Sequence, residues 1–223
     1  MSDETVAVLF SAGLDSAVLL AHAARQDSAG PLIQPIYVSA GLAWEREERA
    51  MAERLLRSGL LGDRIRPLVA LEVDMRDVYP QSHWAVRGDA PAYDTPDSDV
   101  YIEGRNIVLL SKAAIYMARA RISRVFIGPL AGNPFPDATP EFFQAMARAL
   151  SLGLGVPITI DAPFSGMHKE DVIRLGRSLG VPLELTLSCM QPRGGRHCGR
   201  CSKCRERREG FTEAGGEDPT DYA

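Results

Sequence analysis

VAVLFSAGLDSAVLLAHAAR, residues 6–25, changes its pattern twice in twenty positions. Val6 to Phe10 is a short apolar run of the kind that forms a buried strand, and Ala17 to Arg25 has the apolar spacing of a helix. Between them Ser11-Ala12-Gly13-Leu14-Asp15-Ser16 must make the turn from one to the other. Small residues there let backbone N–H groups close around an anion, Ser11 and Ser16 add hydroxyls, and the helix start supplies partial positive charge. A pyrophosphate fits such a cradle. The pattern G-x-x-x-x-G-K-[ST] is absent, and so is G-x-G-x-x-G, which argues against a γ-phosphate transferase and a dinucleotide dehydrogenase. Asp15 among phosphate donors would repel a nucleotide unless a cation intervenes, so a magnesium bridge is its expected role. An ordinary βα turn with a polar N-cap would use the same residue types.

Working outward, strand and helix alternate. Leu32 to Val38 reads as a second strand, Trp44 to Ser58 as an amphipathic helix, and Arg66 to Val73 as a third strand. Asn106 to Ala120 is expected to be helical, Arg124 to Ile127 a strand, Pro140 to Leu152 a helix opened by proline, and Ile158 to Asp161 a fifth strand. A short helix follows from Asp171 to Leu179, and a last one closes the cysteine-rich end near Ala214. The alternation predicts an α/β fold with a doubly wound, mostly parallel sheet whose ligands lie beyond the carboxyl ends of the strands. The polar, proline-containing stretch from Met75 to Asp99 reads as an irregular insertion over the surface, where such loops often cover a site. The expected division is an ATP-binding part at 1–185, with the insertion taken as 75–101, and a metal-binding segment at 186–223.

The cysteines are Cys189, Cys198, Cys201 and Cys204, all within the last 35 of 223 residues. Four soft ligands spaced C-x8-C-x2-C-x2-C can close a tetrahedral shell, and in a reducing compartment a metal is the better reading than disulfides. Zinc is the natural occupant; an iron–sulfur cluster takes the same ligands, with nothing else pointing to electron transfer. With every sulfur engaged the site has no open position and is expected to be structural. His197 is not needed as a fifth ligand. Formal net charge is -4, so there is no global bias toward nucleic acid. The local run Arg193, Arg196, Arg200, Lys203, Arg205, Arg207 and Arg208 is expected to offset thiolate charge or line the mouth of an anionic pocket. No stretch approaches the roughly 20 apolar residues of a membrane span, and the N-terminus has no secretory pattern, so a cytoplasmic location is expected.

Both motifs, their order and the segments between them resemble the 7-cyano-7-deazaguanine synthase family of PP-loop ATP pyrophosphatases. SAGLDS is similar to the SGGxDS signature, with Ala12 at a glycine position, a change expected to demand an ordinary backbone angle there. Glu103-Gly104-Arg105-Asn106 resembles the family's PxRN segment, and Phe135-Pro136-Asp137-Ala138-Thr139-Pro140-Glu141-Phe142 its YPDCRPEF segment. Ala162-Pro163 followed by Lys169 and the end HCGRCSKCRERREGF complete the match.

The resemblance implies a homodimeric ligase using ATP, Mg2+ and Zn2+. Its reaction adenylates the carboxylate of 7-carboxy-7-deazaguanine, aminates it with ammonia to the amide, and dehydrates the amide to the nitrile. It implies nucleotide contacts by Phe10, Ser11, Ala12, Gly13, Leu14, Asp15, Ser16 and Ala17, and catalytic roles for Asp15, Ser16, Arg105 and Lys169. Arg105, Asn106 and Asp137 are the implied substrate contacts, and the four cysteines the metal ligands. No membrane and no nucleic-acid partner is expected.

Two stretches depart from the family. Ser39-Ala40-Gly41-Leu42-Ala43-Trp44 stands where an aromatic-Asp-Tyr-Gly-Gln stretch is usual, and Ala138-Thr139 replace Cys-Arg. A relative that activates another carboxylate is therefore a second reading. A tRNA-thiolating PP-loop enzyme is a third, disfavoured because no cysteine remains to carry sulfur.

Overall fold

Alternating strands and helices close into one parallel sheet. A computed structural model describes residues 5–25, 30–59 and 62–223. The strands are β1 (Thr5–Leu9), β2 (Leu32–Ser39), β3 (Val69–Glu72), β4 (Arg124–Phe126) and β5 (Thr159–Asp161), in the order β3-β2-β1-β4-β5 with every pairing parallel. The helices are α1 (Leu14–Ala24), α2 (Glu45–Arg57), α3 (Trp84–Arg87), α4 (Arg105–Ala120), α5 (Pro140–Leu154), α6 (Lys169–Ser178) and α7 (Ser202–Ala214). Period-two alternation in β1 splits the core. Val6 and Val8 join α1, α2, α6 and α7 on one face, whereas Ala7 and Leu9 join α4 and α5 on the other. The expected doubly wound architecture is what forms, and no helix among the described residues is long and apolar enough to cross a membrane.

The strand order reverses at β1, so the crevice at the carboxyl ends of β1 and β4 is where a ligand belongs in such a sheet. Helix ends are set by local chemistry. Thr139 caps α5 by accepting from Phe142 N at 3.1 Å, with Pro140 in the first turn. β3 starts at Val69, later than expected, and Pro67 just before it has no N–H to give to a ladder. Gln34, buried in β2, bridges that interruption: its Nε2 donates to Pro67 O at 2.8 Å and to Pro35 O at 3.2 Å.

The segment after β3 is better ordered than its sequence suggests. It holds α3, capped by His83 Nδ1 accepting from Ala85 N at 3.2 Å, and a 3-10 turn at Asp97–Val100. Elements of four residues carry no periodicity to read. Tyr79, Ala85 and Val100 form a third apolar cluster with Ala40, Leu42, Trp44, Ile102 and Met190, which seats the insertion on the β2–α2 loop and on the cysteine segment. Gln191 Nε2 donates to Gly88 O at 2.9 Å and Ser202 N to Pro91 O at 3.2 Å, so these loops are tied together over one end of the sheet.

Candidate active site

The loop between β1 and α1 is a cradle of the expected kind. Ser16 Oγ donates to Gly13 O at 3.1 Å, Ser11 N donates to Ser16 Oγ at 3.3 Å, and Gly13 N donates to Ser11 Oγ at 3.3 Å. Gly13 sits at the helix cap with no side chain covering it, leaving the first N–H groups of α1 open to an anion. A Cβ on Gly13 would lie 3.3 Å from Ser11 Oγ and crowd the cradle. Phe10, Ser11, Gly13, Asp15 and Ser16 line a chamber of roughly 300 Å³ at the ends of β1, β2 and β4, Leu14 lines a second one beside it, and Ala12 and Ala17 are fully buried beneath the loop.

The expectation for Ala12 is corrected. Its φ is 58, in the left-handed region that glycine enters freely, so the alanine keeps the backbone of a glycine-type loop. The conformation holds because Leu187 N donates to Ala12 O at 2.8 Å and the methyl is wholly buried. Ala12→Gly is therefore expected to change stability by no more than about 1 kcal/mol, strain relief being offset by the freer unfolded chain. Ala12→Val, β-branched at that φ, is expected to lose more than about 2 kcal/mol, and urea unfolding compares the two.

Asp15 finds its cation in the protein. Lys169 Nζ, at the start of α6, lies 2.9 and 2.7 Å from the two Asp15 oxygens and 2.7 Å from Glu206 Oε1, and Lys203 Nζ is 2.5 Å from Glu206 Oε2. Burial works against the Lys169 charge, but Asp15 and Glu206 raise its pKa above the usual range, so it stays cationic. Burial likewise opposes Glu206, yet Lys169 and Lys203 pull it down to about 2. Two opposed pairs thus bridge the phosphate loop to α7. Lys203 and Arg207 line the second chamber, of about 250 Å³, whereas the part-buried Arg205 and Arg208 turn away from it, toward Asp97 and onto the Tyr222 ring.

Arg105, the first residue of α4, reaches the wall shared by the two chambers, and its Nε is buried with no hydrogen-bond partner among the described residues. Asn106 and Asp137 line the first chamber but also hold each other: Asn106 N donates to Asp137 Oδ2 and Asn106 Nδ2 to Asp137 O, both at 2.9 Å. Asp137 is buried and caps α4, and burial raises its pKa.

Two acidic residues on α2 are buried in a way their sequence did not signal, since they sit in a run that reads as a solvated helix face. Glu45 accepts from Ser39 Oγ at 2.5 Å, Ala40 N at 2.8 Å and Gly41 N at 3.0 Å, which fixes the stretch that departs from the family. Glu48 is buried at the shared wall, where its Oε2 accepts from Tyr37 Oη at 3.0 Å. Burial pushes its pKa up to about 7, against Arg105 and the tyrosine hydrogen bond. Trp44 and Trp84, stacked with ring centres 5.7 Å apart, flank the second chamber.

The four cysteines converge, all buried, with every Sγ within 4.8 Å of the others. Three pairs are 3.5 to 3.9 Å apart. A tetrahedral ion with M–S near 2.3 Å needs sulfurs about 3.8 Å apart, so the donor set fits a four-coordinate soft metal. Gln191 N and Cys198 N both donate to Cys189 Sγ at 3.3 Å, which stabilises thiolate charge. His197 is buried rather than on the surface: its Nε2 accepts from Ser188 N at 3.0 Å, and burial with Arg207 nearby lowers its pKa to about 3. It is neutral and outside the metal shell.

A family model described as queuosine biosynthesis protein QueC matches residues 5–215. The chain is 35% identical to the 7-cyano-7-deazaguanine synthase of Anaeromyxobacter dehalogenans, over 97% of this chain and 94% of that protein. It is 36% identical to that of Methanothrix thermoacetophila over 96% of each. Among solved structures, a 4-thiouridine synthetase–RNA complex with bound ATP is similar at 16% identity and a TM-score of 0.51, covering 95% of this chain and 51% of that one. The U34-tRNA thiolase NcsA of Methanococcus maripaludis, with its [4Fe-4S] cluster, is similar at 12% identity and a TM-score of 0.51, over 89% and 63%. At those identities the solved structures speak for the fold alone.

Proposed function

This chain belongs to the QueC family of queuosine biosynthesis proteins, and from that premise we propose that it is the ATP-dependent ligase that converts 7-carboxy-7-deazaguanine and ammonia to 7-cyano-7-deazaguanine. The observation that carries the reading is the open α1 N-terminus on the same chamber as Arg105, whose buried Nε has no hydrogen-bond partner among the described residues. Free N–H groups take the pyrophosphate of ATP, and Arg105 takes the substrate carboxylate or the phosphate it joins. A carboxylate is a poor electrophile, and adenylation gives ammonia a good leaving group to displace. The amide formed first is then activated by a second adenylation and loses AMP to give the nitrile.

Asp15 and Ser16 offer oxygen donors suited to Mg2+, which when bound neutralises the phosphates. Lys169 supplies positive charge to the departing pyrophosphate, and Asn106 and Asp137 form the polar edge of the first chamber. The cysteines hold Zn2+ in a closed, structural shell, and the chain divides functionally into 1–185 and 186–223. Ile107 and Ile115, about half exposed on α4, support a homodimer by leaving apolar surface for a second copy.

The test is incubation with ATP, Mg2+, ammonium and 7-carboxy-7-deazaguanine, following AMP and the mass of the base. Nitrile formation is expected, and Asp15→Asn is expected to lower AMP release by at least about 10²-fold with metal content unchanged. Bound ATP with no conversion would instead favour a different carboxylate, for which Trp44, at the end of the stretch that departs from the family, is the altered wall of the second chamber.

A further inference from the structure

We propose that Glu48 is the proton acceptor for the nitrogen nucleophile, receiving a proton from ammonium at the wall where the phosphate loop meets the second chamber. This rests on the ligase reading. The reaction needs ammonia, yet at neutral pH the available species is mostly ammonium, whose lone pair is occupied. A carboxylate that both binds the cation and accepts its proton solves both problems.

Glu48 is placed for that work. It is the acidic side chain of α2 that lines both chambers, it is 8% exposed, and it shares the first chamber's wall with Ser11 of the phosphate loop. Glu45, one turn earlier, is committed to the 39–41 backbone. Asp15 also reaches both chambers but is paired with Lys169 through both oxygens and, on the ligase reading, serves Mg2+ rather than the nucleophile. Tyr37 Oη takes one Glu48 oxygen and also donates toward Glu45 O at 3.2 Å, which fixes the carboxylate and keeps its orientation. The charged or titratable groups that face Glu48 are Tyr37, Glu45 and Arg105, with Asp15 on the same chamber wall. Burial raises the Glu48 carboxyl toward neutrality, the range in which a base accepts a proton and gives it up again each turnover.

The step balances. One N–H proton of ammonium passes to Glu48, the freed nitrogen lone pair attacks the acyl carbon of the adenylate, and the C–O bond to phosphate breaks. AMP leaves with that electron pair and takes the second nitrogen proton, giving amide, AMP and protonated Glu48.

Hydroxylamine separates this role from others, because it is largely unprotonated at neutral pH and needs no base to become a nucleophile. The full-length, metal-loaded protein and its Glu48→Gln and Glu48→Asp variants are compared at pH 7 for amide formation from ammonium and hydroxamate formation from hydroxylamine. Glu48→Gln is expected to lower kcat/KM for ammonium by about 10²-fold or more and for hydroxylamine by far less, with Glu48→Asp between. Ammonium activity of Glu48→Gln is expected to recover as pH rises and free ammonia accumulates. Equal losses with both nucleophiles, or a selective rise in KM for the carboxylate, would make Glu48 a substrate-binding or packing residue and overturn the assignment. A wild-type protein that forms neither amide nor hydroxamate overturns the ligase reading itself.

Discussion

Cys201→Ser is expected to strip the metal from the protein and lower its melting temperature by about 6–20 °C. The four sulfurs do not sit in an appended knob. They belong to the same apolar cluster as Val6 and Val8 of β1, Val18 and Leu19 of α1 and Phe211 of α7. Losing one thiolate breaks a closed tetrahedral shell and leaves three buried, crowded thiols in its place, so the cost includes both the metal and the core around it. A loss of about 3–5 kcal/mol in a chain of this size converts to about 6–20 °C at 2–4 °C per kcal/mol. Metal analysis and thermal unfolding check it together, and a strong chelator acting on the wild type should reproduce the same fall. Unchanged metal content in Cys201→Ser would remove the metal reading.

The same change should reach the chemistry. Cys201 caps α7 and Cys204 lies in its first turn, and the next turns carry Glu206 and Arg207. Arg207 is 2% exposed and donates to Thr186 Oγ1 at 2.8 Å, Ser188 Oγ at 3.2 Å and Leu183 O at 2.8 Å. A metal that anchors the start of α7 therefore also sets Lys203, Glu206 and Arg207 against the second chamber. The cysteine cluster and the second chamber are linked through one helix.

Much of this was legible in the sequence. SAGLDS between an apolar run and a helical one gave strand, cradle and helix, because backbone geometry and residue size at that turn leave few alternatives. The cysteine spacing gave a closed ligand set, since four thiolates so near in sequence have little else to do. Three features were not legible. Ala12 adopts a glycine backbone angle because Leu187 and the packed core hold it there, a tertiary cause that no local rule contains. Glu48 looks like one of several acids on an amphipathic helix, and only the position of α2 against the ends of β1 and β2 turns it into the chamber. The insertion reads as irregular because its short α3 and 3-10 turn are held by distant partners such as Gln191 and Ser202.

Lys169→Met is expected to lower kcat/KM for the ATP-dependent reaction by about 10³-fold and to change acid stability in a defined direction. Its side chain is 17% exposed and its ammonium stands between Asp15 and Glu206, so its removal leaves two carboxylates facing each other beside the phosphate loop. That arrangement repels a nucleotide where the wild type attracts one, and the loss of one preorganised cation from a transition state costs about 3–4 kcal/mol. Lys203 remains near Glu206 but makes no contact with Asp15, so it does not substitute. α7 also fixes where Lys169 lies: a Cβ on Gly210 would collide with Lys169 Cγ, so the glycine permits the close approach that aims the lysine.

The pH sign follows from Glu206. Its folded pKa is depressed to about 2 from an ordinary value of 4.5, so the stability it contributes is present above about pH 4.5 and is lost as pH falls toward 2. Removing Lys169 takes away the larger of its two cationic partners, which raises the Glu206 pKa and shrinks that acid-dependent contribution. Urea unfolding from pH 7 to pH 3 should therefore fall less steeply in Lys169→Met than in the wild type, from a lower starting value. A variant with wild-type kinetics and an unchanged acid limb would mean that the Asp15–Lys169–Glu206 bridge serves neither the nucleotide nor the fold.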